Sequence, residues 1–271
     1  MLGKLLKHEL RASARVMGPV IGALLLVSVM ANFALRGMDS ADHPTFVQVL
    51  CVIITVLFFF GLMGVGIMAV VVMVRRFRQS LLQDEGYIMH TLPVSVHALV
   101  WSRIIVSTLW FLVTFAATVG AVLIAVMDVQ LIHGLFESIR IVVDYLFEGN
   151  QIILHGTTAL LEFAGLAILG CIASSLTFYA AMAVGHGFAN KKVLWSSVAF
   201  VVFIVAAQMV IGTASSLMLD HNIVLPFVNS VTTEMGIFSL ICGYIALGIV
   251  LYSAVFYVIT VLALKKRLNL E

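Results

Sequence analysis

The sequence predicts an all-α integral membrane protein with six transmembrane helices, and three observations carry that prediction. Of its 271 residues, 62% are apolar or aromatic (Ala, Val, Ile, Leu, Met, Phe, Trp, Tyr, Cys) and 10% are charged. A soluble domain holds roughly 45–50% apolar and about 25% charged residues. Mean hydropathy is +1.16. The apolar residues also gather into six runs, each long enough to cross a bilayer. A water-soluble enzyme, a secreted disulfide scaffold and a disordered tail are excluded together. The net charge of +2 and the lack of any basic-aromatic motif give no basis for nucleic acid as a partner.

A hydrocarbon core about 30 Å thick needs about 20 apolar residues per helical span. The runs are Val16–Leu35, Val47–Val74, Ile104–Met127, Thr158–Val184, Val193–Leu219 and Ile237–Leu264. They are read as helices, because an open strand would leave backbone groups unpaired in lipid. The first run is longer than a signal-peptide core and has no A-x-A site, so it is expected to stay as a permanent span. Residues 16–271 thus form one six-span domain, preceded by the segment 1–15.

Charge then sets orientation. Lys4, Lys7, Arg11, Arg15, Arg75, Arg76, Arg78, Arg103, Lys191, Lys192, Lys265, Lys266 and Arg267 fall on one side of this layout. Only Arg36 and Arg140 fall on the other, beside Asp39, Asp42, Asp128, Glu137, Asp144, Glu148, Asp220 and Glu234. By the positive-inside rule both termini are cytoplasmic.

Residues 1–15 read as an amphipathic helix lying in the inner-leaflet interface. Lys4, Lys7, Arg11 and Arg15 form one stripe, with Leu2, Leu5, Leu6 and Leu10 mostly opposite. Glu9 falls inside the apolar arc, where lipid contact is costly. That face is therefore expected to meet protein, through a basic side chain of another loop or of a partner.

The connection 75–103 is the largest cytoplasmic piece. Arg75–Glu85 reads as a helix that Gly86 ends. Pro93 holds Leu92 extended, and Ser95 caps a second helix running through Val96, His97 and Trp101 into the third span. A tether between neighbouring spans needs only a few residues. Helix, turn and helix read as a displayed surface.

On the outer side, residues 129–148 read as a second amphipathic helix, with His133, Glu137, Arg140, Asp144 and Glu148 on one stripe. Solvation explains that stripe better than a metal site, and no metal is expected. Between the last two spans, Thr213–Gly236 mixes polar residues with short apolar pieces around Pro226. It reads as a hairpin dipping into the outer leaflet.

No catalytic constellation is visible. The chain lacks G-x-x-x-x-G-K-[ST], H-E-x-x-H and G-x-S-x-G, so P-loop binding of nucleotide phosphates, zinc proteolysis and nucleophile-elbow chemistry have no motif here. Cys51, Cys171 and Cys242 sit singly in apolar runs and read as small hydrophobes. Gly61, Gly64 and Gly66, and Gly165 with Gly170, are expected to let helices approach closely. Within the hydrocarbon, Glu162 lies about one turn inside the outer end of the fourth span, and Gln208 lies deep in the fifth. A carboxylate there costs several kcal/mol unless neutral, paired or wet. These two are the residues that could line a translocation pathway.

The layout resembles the permease subunit of the type-2 ATP-binding-cassette transporter family, in its small bacterial six-span exporter form. The resemblance rests on a basic N-terminal helix containing Lys7-His8-Glu9-Leu10-Arg11, and on the stretch Asp84-Glu85-Gly86-Tyr87-Ile88-Met89-His90-Thr91-Leu92-Pro93-Val94-Ser95 between spans two and three. Six spans and the Pro-containing excursion before the last one complete it. Where the family usually continues with a basic residue after that Ser, this chain has Val96-His97.

The resemblance implies a permease half in the bacterial plasma membrane. It would pair with an identical or sister half and bind a separate ATPase subunit, which would hold ATP and magnesium. Asp84, Glu85, Gly86, Tyr87, Thr91, Leu92, Pro93 and Ser95 would belong to the coupling helix that docks on the ATPase. Lys4, Lys7, Glu9, Arg11 and Arg15 would belong to a connecting helix along the inner leaflet. The chain itself would be no enzyme, and its cargo would be an amphipathic or lipophilic peptide, drug or lipid. Two other readings are a membrane interaction or immunity protein that acts without ATP, and an ion-coupled secondary transporter built on Glu162.

Overall fold

In the computed structural model every regular element described is helical. The structure describes residues 2–38, 44–79, 96–128, 134, 137, 140, 141, 151–188, 191–220 and 234–266. Six long helices follow one another: α1 (Leu2–Met38), α2 (Thr45–Phe77), α3 (Val96–Val126), α4 (Gln151–Gly185), α5 (Lys192–Asp220) and α6 (Glu234–Lys266). All six are long and apolar enough to cross a membrane. Among the described residues there is no strand. The fold is that of a multi-pass membrane protein.

Five of the six expected spans lie inside one of these helices, which overrun them; the third, Ile104–Met127, passes the end of α3 by one residue. The largest difference is at the N-terminus. No break separates residues 2–15 from the first span; α1 is one helix of 37 residues. Ala12 and Ala14 are strong helix formers, and no glycine or proline stands between Gly3 and Gly18. Pro19 stands inside the helix and removes one intrahelical hydrogen bond. At the other end, α3 runs unbroken from Val96 into its span, and the expected Ser95 cap lies outside the described residues. The expected break near Thr213 is displaced, because α5 continues helically to Asp220. Gly134, Glu137, Arg140 and Ile141 are helical within the predicted outer helix.

The chain divides into two compact units. The first comprises Met1–Arg76 and Leu109–Ile153. Its core is a single cluster of Leu24 and Ala31 from α1, Phe58 and Val65 from α2, and Ala121 and Ala125 from α3. The spacings of seven, seven and four residues place each pair on one helix face. The buried stripe of α1 runs back through Met17 and Ser13 to Glu9, all at 5% exposure or less.

Side chains of α1 also close the C-terminal end of α3. The last turn of a helix leaves carbonyls without intrahelical partners. Asn32 donates from Nδ2 to Ala125 O at 3.0 Å and to Met127 O at 2.8 Å. Arg36 adds a second donation to Met127 O and stands 3.8 Å from the Asp128 carboxylate. A cation at this end also opposes the negative pole of the helix dipole.

The second unit comprises Phe77–Thr108 and Leu154–Glu271. α4 and α5 form a tight antiparallel hairpin. Phe178 stacks on Phe200 at 4.5 Å, and Phe188 on Trp195 at 4.7 Å. A methyl placed on Gly185 would collide with the backbone of Ser196, so only glycine fits there. Lys191 begins the return with a left-handed φ of 53°, and its carbonyl accepts from Trp195 N. The expected glycine contacts do not form: a Cβ on Gly64, Gly66, Gly165 or Gly170 would meet nothing within 4 Å. Gly61 alone of that set has a neighbour, Leu24 Cδ1 at 3.7 Å.

Candidate functional site

Two polar places stand out in the second unit. One is a buried cluster where α3, α4 and α6 meet. Tyr179 of α4 is fully buried, stacks on Phe77 with centroids 4.1 Å apart, and donates to Arg103 O at 3.3 Å. Ser107 donates to Ser175 Oγ at 3.0 Å. Thr177 and the Tyr252 hydroxyl share a hydrogen bond of 2.7 Å. At the exposed edge of the cluster His97, the second residue of α3, bonds through Nδ1 to the Tyr257 hydroxyl at 2.7 Å, with Trp101 leaning on the tyrosine ring. Small hydroxyls across helices are ordinary membrane glue, worth about 0.6 kcal/mol each.

Sequence reasoning missed this cluster. Arg103 reads as a flanking charge of the 75–103 connection, yet its side chain is 3% exposed. Tyr179 reads as one aromatic among apolar neighbours. The available signal was the density of hydroxyls, Ser102, Ser107, Thr108, Ser174, Ser175 and Thr177, on two helices that are otherwise apolar.

Next to this cluster His186 ends the α4 hairpin. Its Nδ1 lies 3.0 Å from Met182 O and 3.5 Å from Ser196 Oγ. Burial holds its pKa below the ordinary value, and the positive charges of Arg78 and Lys192 push the same way, against the Met182 carbonyl.

The second place is a groove between α4 and α6. A cavity of about 210 Å³ is bounded by Glu162, Gly165, Leu166, Ser239, Cys242 and Gly243, among others. Glu162 lies about one and a half turns from Thr157, where the spanning part of α4 begins. The Cys242 thiol hydrogen-bonds its carboxyl. The other oxygen, Oε2, is withdrawn from the surface and has no hydrogen-bond partner among the described residues. Nearby, Phe163 and Phe238 hold α4 against α6 with centroids 5.4 Å apart.

The remaining expected site residues divide three ways. Glu9 is buried, as a protein-facing position requires. Lys7, Arg11 and Arg15 are exposed along α1, and Lys4 lies on the same helix. Gln208 is exposed on α5 and lines none of the cavities described here. Asp84, Glu85, Gly86, Tyr87, Thr91, Leu92, Pro93 and Ser95 lie outside the described residues. Among the described residues no group of three or more His, Cys, Asp or Glu side chains could hold a metal.

In the first unit, a cavity of about 530 Å³ lies between α1 and α2, lined by apolar residues such as Val27, Met30, Leu57 and Met68, with Gly64. It offers no polar group for chemistry. No protein-family model, curated protein or solved structure matches the chain.

Proposed function

We propose that this protein is the membrane permease subunit of an ATP-binding-cassette exporter, performing no chemistry itself and driven by a separate ATPase. The observation that carries the reading is the Asp84–Ser95 stretch, placed between the second and third of six membrane helices in a chain with no nucleotide phosphate motif. The burial of Glu9 supports a protein-facing role for the N-terminal part of α1.

In this reading both termini and the 75–103 connection face the cytoplasm of a bacterial cell, and the connection carries the coupling helix. Two permease halves, identical or not, enclose the pathway. ATP and magnesium stay on the ATPase, and the cargo is amphipathic or lipophilic.

Affinity purification of the tagged protein in mild detergent, with and without cross-linking, tests the reading. A nucleotide-binding subunit is expected to co-purify. Its absence under both conditions overturns the proposal.

A further inference from the structure

We propose that the groove between α4 and α6 binds the primary ammonium group of a lipophilic amine, with Glu162 as its counter-ion. Four features of the groove support this.

The first is charge. Glu162 sits in a helix that crosses hydrocarbon, where a carboxylate needs a partner, a proton or water. Cys242 satisfies part of the carboxyl and brings no charge, while Oε2 is buried and unmatched among the described residues. The basic residues at the Gly185 end of α4 are about 35 Å away along the helix. An arriving cation would give that oxygen a partner.

Space is the second. A Cβ on Gly165 or Gly243 would meet nothing within 4 Å. Neither glycine serves helix contact, and their missing side chains leave the groove open beside the carboxyl. Any larger residue would occupy it.

Size is the third. About 210 Å³ is smaller than the roughly 300–1,000 Å³ of a site that engulfs a drug-sized ligand. It suits a head group. Leu161, Phe163, Ile241 and Ile245 are exposed on the same two helices, so an alkyl tail can lie along them in the lipid.

The fourth is the donor set. Glu162 and Ser239 offer oxygens and Cys242 a thiol. Calcium takes 6–8 oxygen ligands, and magnesium demands near-ideal octahedral coordination. An ammonium presents three N–H donors, which a carboxylate and a hydroxyl can accept. Side-chain acceptors line the cavity and aromatic faces do not, which favours a primary amine over a quaternary one.

Binding as such needs no pump. That the amine is cargo rests on the exporter reading. The ammonium could belong to a membrane lipid or to a free amphipathic amine, and the test separates these sources.

The full chain is placed in phosphatidylcholine nanodiscs, without ATP or ATPase. Binding of dodecylamine fluorescently labelled at its far end is compared with the same chain ending in a hydroxyl, after subtracting empty discs. The amine is expected to bind about tenfold tighter, the worth of one hydrogen bond to a charged group. Glu162→Gln should erase that preference, and so should Gly243→Leu, which fills the groove and leaves the carboxyl in place. Displacement by added phosphatidylethanolamine identifies a lipid head group as the ligand, and its absence a free amine; either result supports an ammonium site. Equal binding of amine and alcohol to the unaltered protein, or an amine preference that survives both substitutions, overturns the proposal. Because no ATPase is present, that failure is distinct from a failure of the co-purification experiment.

Discussion

Arg36 of α1 donates from Nη2 to the carbonyl of Met127, 2.6 Å away, just past the last turn of α3. By its position in the sequence Arg36 is one of two basic residues on the predicted outer side, an exception to the charge asymmetry. The structure gives it local work: with Asn32 it satisfies carbonyls that a helix end leaves open.

Asn32 carries more of that cap than Arg36. Asn32→Leu removes two donations and is expected to lower stability by about 1–3 kcal/mol. Asp128→Asn should cost less than about 1 kcal/mol, because that ion pair is exposed. Thermal unfolding of the purified variants in one detergent ranks them.

Gly185 is a packing residue. Gly185→Ala drives a methyl into the Ser196 backbone, and is expected to destabilise by about 1–3 kcal/mol through overpacking. Gly165→Ala and Gly64→Ala, which meet open space, should leave the melting temperature near that of the parent. Equal effects at Gly185 and Gly64 would contradict the hairpin geometry.

Tyr179 separates a ring from a hydroxyl. Tyr179→Phe keeps the stack on Phe77 and loses the donation to Arg103 O, a change of about 1 kcal/mol. Tyr179→Ala opens a cavity and should cost about 3–5 kcal/mol. Chemical denaturation in mixed micelles reads both values.

His186 makes stability depend on pH. Burial comes first in lowering its pKa from 6.5, so the folded protein binds fewer protons than the unfolded chain just below that value. Its contribution is complete above pH about 6.5 and is lost as the pH falls through that value and below. Melting temperatures from pH 8 to pH 5 should fall, and the fall should shrink in His186→Gln. An unchanged slope in the variant would place the titration elsewhere.

The segment 80–95 is tested directly by labelling. In a cysteine-free background, a cysteine at Glu85 is expected to react with an impermeant maleimide only from the cytoplasmic side. On the exporter reading, charge reversal at Asp84 and Glu85 together should separate ATP hydrolysis from transport while leaving the protein folded. Labelling from outside would remove the basis for a coupling helix.

Membership in helices was legible because hydrocarbon demands long apolar runs, and each expected run falls inside one of the six helices to within a residue. The continuity of α1 through Arg15 was not legible, because a basic stripe over leucines describes an interfacial helix and the first turns of a span equally well. The glycines misled for a related reason. Small residues mark helix contacts and open grooves alike, and Gly185 forms a contact while Gly165 and Gly243 border a cavity.

The sequence alone determined that the chain is a six-helix membrane protein and which loops carry its positive charge, since both follow from how much apolar length and charge lie in each stretch. Only the tertiary structure decided which face of each helix turns inward. In lipid the outward and inward faces are both apolar, so no periodic contrast marks the core, and the burial of Arg103, Tyr179 and the Oε2 of Glu162 depends on partners distant in the chain.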